Sequence, residues 1–200
     1  MFKETEKKPF VIVKNDENWR PKFYYNGKGY SLVSGIIRSV RTEEKTIVPT
    51  KGDNIGKEIT INNLIIDMVS TDGEFDLQLP LYSGLARTAL NAIAWGYNGE
   101  EAFFSVYNNK KWFRAMSIRH SQEREDYIAP FYSREEELGM VEERKIKWVM
   151  KKDYDALSDK YIEELMPKIH EKLGTGIEIE KWAKVPLGKQ NTTEDDNIPF

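Results

Sequence analysis

The run "EFDLQLPLYSGLARTALNAIAWGYNGEEAFFSVY" (74–107) changes its period twice. Over 74–81 the pattern alternates, with Phe75, Leu77 and Leu79 on one face and Glu74, Asp76 and Gln78 on the other, as in a half-buried strand. From Ser83 the apolar positions Leu85, Ala86, Ala89, Leu90 and Ile93 recur at helical spacing. Ser83 is placed to cap the first turn and Gly96 to end the last. Alternation then returns, setting Phe103, Ser105 and Tyr107 against Phe104 and Val106. The stretch is strand, helix, strand, and its flanks decide the architecture.

Upstream, "YSLVSGIIRSV" (30–40) is rich in β-branched residues, and its internal Gly35 marks a bulge or bend. "RTEEKTIVPTKGDNIGKE" (41–58) reads as a long polar loop, "ITINNLIIDMV" (59–69) as a second strand, and "STDG" (70–73) as a hairpin turn. Downstream, "NNKK" (108–111) turns the chain into "WFRAMSIR" (112–119), a fifth strand. This order gives an all-β core of five strands with a helix between the third and fourth. That is the layout of the OB-fold barrel, whose strand 2–3 face and 1–2 and 4–5 loops bind oligonucleotides and oligosaccharides. The expected organisation is an N-terminal extension (1–27, with "FVIV" as a short strand), the barrel (28–119), a C-terminal extension (120–182) and a disordered acidic tail (183–200). Within the C-terminal extension, "KIKWVM" (145–150) reads as a strand and residues 158–174 as a capped helix bent at Pro167.

The composition suits such a domain: 40% hydrophobic residues for a core, 32% charged residues for a solvated surface. With no cysteine, disulfides, thiolate metal sites and thiol nucleophiles are excluded. No signal peptide or membrane-length apolar run is present, which points to a cytoplasmic protein. The net charge of −3 conceals segregation, since acids and bases balance once Glu194, Asp195 and Asp196 are set aside. The segment from Arg87 to Arg119 is basic, and local charge governs binding more than the total does.

Aromatics and bases alternate in two places. "YYNGKGY" (24–30) carries Tyr24, Tyr25, Lys28 and Tyr30, and "VYNNKKWFR" (106–114) carries Tyr107, Lys110, Lys111, Trp112, Phe113 and Arg114. Single-stranded nucleic acid needs this mixture, because exposed bases stack on rings while Lys and Arg neutralise phosphates. Alternation places Trp112, Arg114 and Met116 on one face of the fifth strand. A solvent-facing Arg114 would expose Trp112, which is therefore favoured over Phe113 as a stacking residue. Tyr107 falls between core and site. Arg38 and Arg41 are phosphate contacts or solvated charges. Catalytic groups are not expected: His120 and His170 stand far apart without metal spacing, and "NGKGYS" (26–31) lacks the pattern of a phosphate loop. No enzyme activity, cofactor or metal is expected.

The chain ends "EDDNIPF" (194–200). This closely resembles the tail of bacterial single-stranded DNA-binding proteins, matching at Asp195, Asp196, Ile198, Pro199 and Phe200, with Asn197 in place of a common acid. Residues 28–119 resemble, by pattern, OB-fold single-stranded DNA-binding proteins of bacteriophages. The resemblance implies a phage-encoded protein of the bacterial cytoplasm that coats single-stranded DNA without strong sequence preference. It would act in replication, recombination and repair. It also implies that the tail docks on partner proteins, the Phe200 ring entering an apolar pocket and the carboxylates meeting a basic rim. An OB-fold RNA-binding module and a recombination mediator whose barrel binds protein are the alternatives.

Overall fold

The computed structural model describes residues 8–50, 54–109, 113–123, 125–146 and 149–174. The chain is mostly β. One curled, mixed sheet holds β1 (Phe10–Asn15), β2 (Pro21–Tyr25), β3 (Lys28–Tyr30), β4 (Leu32–Ile47), β5 (Ile59–Ser70), β6 (Gly73–Pro80), β7 (Ala102–Asn109) and β8 (Phe113–Arg119). Their order across the sheet is β3-β2-β1-β6-β5-β4-β7-β8. Three helices, α1 (Gly84–Trp95), α2 (Arg134–Met140) and α3 (Tyr154–Gly174), accompany a separate hairpin of β9 (Glu142–Ile146) and β10 (Val149–Asp153).

The long strand β4 organises the sheet. Its first residues, Leu32–Gly35, pair with β7, and the rest, from Ile36, pairs with β5, so the strand changes partners at Gly35. A Cβ at Gly35 would lie 2.7 Å from the Val69 carbonyl oxygen, so a side chain there would push β4 off β5. Just beyond, the β4–β5 register slips between Ile37 and Ser39. The Ile37 amide there donates to the buried hydroxyl of Tyr97, 2.9 Å away. Burial pushes the Tyr97 phenol up to about 12, against the opposing pull of the Ile37 amide.

One face of the sheet makes the core. Ile37, Val40, Leu64, Ile66, Met68, Leu77, Leu79 and Phe104 are buried there with the inner face of α1. The Ser83 hydroxyl caps α1 by accepting from the Ala86 amide at 3.2 Å. Gly96 ends the helix where a Cβ would strike the Ala129 carbonyl at 2.5 Å. Asn91, a buried polar residue of α1, grips the following segment: its amide donates to Tyr132 O and accepts from Tyr132 N. The helix α3 packs on α1 and β4. There Arg87 donates to Ser158 Oγ at 2.9 Å, Tyr161 donates to Glu137, and His170 Nε2 donates to Val40 O.

Three expectations change. The main sheet has eight strands, not five, because β1, β2 and β3 of the N-terminal region pair into it. The segment expected as a long loop over 41–58 is largely a ribbon: β4 runs to Ile47 and pairs residue by residue with β5 back to Ile59. Its polar side chains are exposed, so alternation against a core is missing from the sequence there. The C-terminal helix begins at Tyr154 rather than 158 and runs through Pro167. Among the described residues, no helix is long and apolar enough to cross a membrane.

Candidate nucleic-acid interface

The face of the sheet turned away from the core is continuous across β2, β1, β6, β5 and β4, and register identifies its residues. Val13 pairs with Phe23, both buried, so the neighbouring pairs Ile12–Tyr24 and Lys14–Lys22 point outward. Phe10 stands beside Asp76 in the parallel β1–β6 pair and is 53% exposed. Asp67 faces Asp76 on one side and Ser39 on the other, and Arg41 faces Ile65. The outer face thus sets Lys8, Lys14, Lys22, Arg38 and Arg41 and the rings of Phe10 and Tyr24 around Asp67, Glu74 and Asp76.

The charges at its centre are paired. Arg38 Nη2 lies 2.6 Å from Glu74 Oε1, and Arg41 Nη2 donates to Asp76 Oδ2 at 2.7 Å. Lys8 donates to Asp67 and reaches Asp76 at 3.6 Å and Glu74 at 3.8 Å. Asp76 is nearly buried, whereas Glu74 is about half exposed. The surface is a mosaic in which each of these cations already has a carboxylate partner.

A second neighbourhood forms where the β1–β2 turn meets the β7–β8 end. The Asp16 carboxylate accepts from the Asn18 and Arg20 amides, both at 2.9 Å, and the Arg20 amide chiefly holds the Asp16 carboxyl below its usual value. The Asp16 amide donates to Arg20 O, and the Trp19 amide to Asp16 O. Inside this closed turn Trp19 takes φ +60°. That left-handed conformation costs a bulky L-residue roughly 1–2 kcal/mol. Its side chain is 67% exposed. Across the gap, Asn108 Nδ2 donates to Trp19 O at 3.0 Å, Arg114 Nε to Asn15 Oδ1 at 2.9 Å and Arg114 Nη1 to Val13 O at 3.4 Å. The last strands of the curled sheet are tied to the first in this way.

A third is a cleft of about 460 Å³ between Tyr25, Tyr30 and Val33 and the β5–β6 turn at Ser70–Glu74. Tyr30 pairs with buried Phe23 and so sits on the core-side face, 38% exposed.

The structure therefore divides the residues singled out in the sequence. Arg38 and Arg41 share the outer face but are paired with carboxylates. Tyr107, 47% exposed, faces outward on β7 with Ser105, opposite to buried Val106. Tyr30 faces the other side of the sheet. Arg114 is exposed and pairs with Asn108 on the same face of β8 as buried Met116. Its guanidinium ties β8 to β1. Lys110, Lys111, Trp112, Asp195, Asp196, Ile198, Pro199 and Phe200 lie outside the described residues. Tyr24, one of the rings singled out in "YYNGKGY", lies on the outer face. Sequence reasoning missed Phe10 and Lys14, whose alternation in "FVIVKN" (10–15) was legible, and Trp19, for which only the turn-forming "NDEN" (15–18) gave a signal. Compared with protein-family models, with curated proteins and with solved structures, the chain matches none.

Proposed function

We propose that this chain binds single-stranded nucleic acid on the outer face of its sheet, as a phage-encoded coating protein that recruits partners through its C-terminal tip. The observation that carries the reading is the outer face itself, where Lys14, Lys22, Arg38 and Arg41 stand beside the rings of Phe10 and Tyr24. Such a face meets both needs of a splayed strand, cations for phosphates and rings for bases.

The connectivity supports an OB-type barrel. β4, β5 and β6 form an antiparallel meander, α1 follows β6, and β7 returns to pair with the start of β4 before turning into β8. In this reading those five strands are the barrel, and β1 stands beside β6 as an added strand. Partner recruitment rests on the sequence of the tail, where Pro199 limits the entropy lost when Phe200 docks, and Asp195 and Asp196 favour basic partners.

The test is a titration of the full chain with oligo(dT), oligo(U) and a duplex across a salt series. The expected result is tight binding of oligo(dT), weak binding of the duplex, and affinity that falls linearly with salt on logarithmic axes. Equal affinity for duplex and single strand would defeat the proposal. Preference for oligo(U) would turn it to RNA.

A further inference from the structure

We infer that Trp19 is a base-stacking platform for single-stranded nucleic acid, held ready by the β1–β2 turn and by Asn108 on β7. The inference rests on the function proposed above and adds Trp19, which neither the charge pattern nor the aromatic–basic clusters indicated.

Trp19 combines two costs that folding alone leaves unexplained. Its backbone is held at φ +60°, which any Gly or Asn would take more readily. Its indole is 67% exposed and buries little against the rest of the chain. A strained residue persists only where its surroundings over-determine it, and such residues cluster at binding sites. Here the surroundings are explicit: the Asp16 carboxylate closes the turn through the Asn18 and Arg20 amides, and Asn108 fixes the Trp19 carbonyl from β7. The ring is thus presented on a frame tied at both ends, so little backbone freedom is lost when a base lands on it.

The exposed indole identifies the ligand. An unpaired base offers a free π-face to a ring that meets water over most of its surface. A duplex fits poorly, because its base faces are already stacked.

The experiment compares wild type, Trp19→Gly, Trp19→Asn and Trp19→Phe as full chains, by oligo(dT) titration, tryptophan fluorescence and thermal unfolding. Gly and Asn both accept the left-handed turn, so at least one of them should keep the wild-type melting temperature or raise it. The expected loss of affinity for these two is roughly 5- to 150-fold. Trp19→Phe should retain most of the affinity but show less fluorescence quenching on binding than wild type. Folded Gly and Asn variants that bind within twofold of wild type would overturn the inference and leave the proposed function standing. Undiminished quenching in Trp19→Phe would also overturn it. A wild-type chain with no affinity for oligo(dT), even at low salt, would overturn both.

Discussion

On the outer face of β4, β5 and β6, Lys8, Arg38 and Arg41 each meet a carboxylate of Asp67, Glu74 or Asp76. On the β1–β2 turn, the Trp19 ring stands mostly exposed on a strained but hydrogen-bonded backbone. The two regions differ in what a ligand must displace. A phosphate arriving at Arg41 exchanges one anion for another, and the net gain is the small difference between two ion pairs. A base arriving at Trp19 displaces only water from an apolar ring, and the strain has already been accepted in folding. Affinity should therefore depend on rings more than a count of cations suggests, and its salt dependence should be shallower than that count implies.

The largest way to disturb this contrast is at Asp76, the most buried acid of the mosaic. Asp76→Ala leaves Arg41 and Lys8 short of a partner in a partly buried place. It should cost about 2–3 kcal/mol of stability in chemical denaturation. The same change frees cations for phosphate, so oligo(dT) affinity should rise at low salt. The slope of log affinity against log salt should steepen by about 0.7 for each phosphate gained. A folded variant with unchanged affinity and slope would show that the mosaic faces no phosphate. Next in size is Tyr107→Ala. It should weaken oligo(dT) binding by about 1–2 kcal/mol while moving stability by less than about 0.5 kcal/mol, because the ring is surface-borne. A large loss of stability would place Tyr107 with the core instead.

The contrast also explains which parts of the molecule could be read in the sequence. Alternation around Phe75–Leu79 and Phe104–Val106 and the helical spacing from Leu85 to Ile93 record burial against one core, and the structure has strands and a helix there. Gly35 was legible as a bend because a Cβ cannot fit where β4 crosses to its second partner. The β4–β5 ribbon was not, since its residues beyond Arg41 are mostly solvated on both faces and leave no periodic trace. Nor was the place of β1, whose parallel pairing with β6 joins segments some sixty residues apart and follows from no local signal. The candidate site divides in the same way. Residue types in "VYNNKKWFR" suggested the ligand chemistry, but which cation is spoken for depends on carboxylates brought in by the fold. Trp19 was hidden because a left-handed tryptophan has no signature in composition.

Arg114 separates the two regions by a different route, because it is a cation at the ring-bearing end that has structural partners. Arg114→Lys keeps the charge but loses the reach to both Asn15 Oδ1 and Val13 O. Stability should fall by about 1 kcal/mol, with no change in the salt slope. A slope reduced at unchanged stability would mean that Arg114 contacts phosphate and that the tie to β1 is incidental.

The smallest effect, and the finest test of exchange between carboxylate and phosphate, lies at Glu74. Its side chain is half exposed and its main partner is Arg38, 2.6 Å away. Exposed pairs contribute little, so Glu74→Gln should change stability by no more than about 0.5 kcal/mol. The amide oxygen can still accept from Arg38, which keeps the guanidinium oriented while removing the competing charge. A strand binding there would then meet Arg38 in the same geometry but without an anion to displace. Oligo(dT) affinity should rise by about 0.5 kcal/mol, in the range of a surface ion pair, and the rise should vanish at high salt, where the pair and the phosphate contact are both screened. Because the fold is barely touched, a change in affinity can be assigned to the surface itself. If Glu74→Gln binds oligo(dT) as wild type does at every salt concentration while Asp76→Ala binds more tightly, the phosphate path runs past Arg41 and not past Arg38. If neither variant gains affinity, the strand follows the rings of the β1–β2 and β7–β8 end, and the mosaic serves only to hold β4, β5 and β6 to the segment before β1.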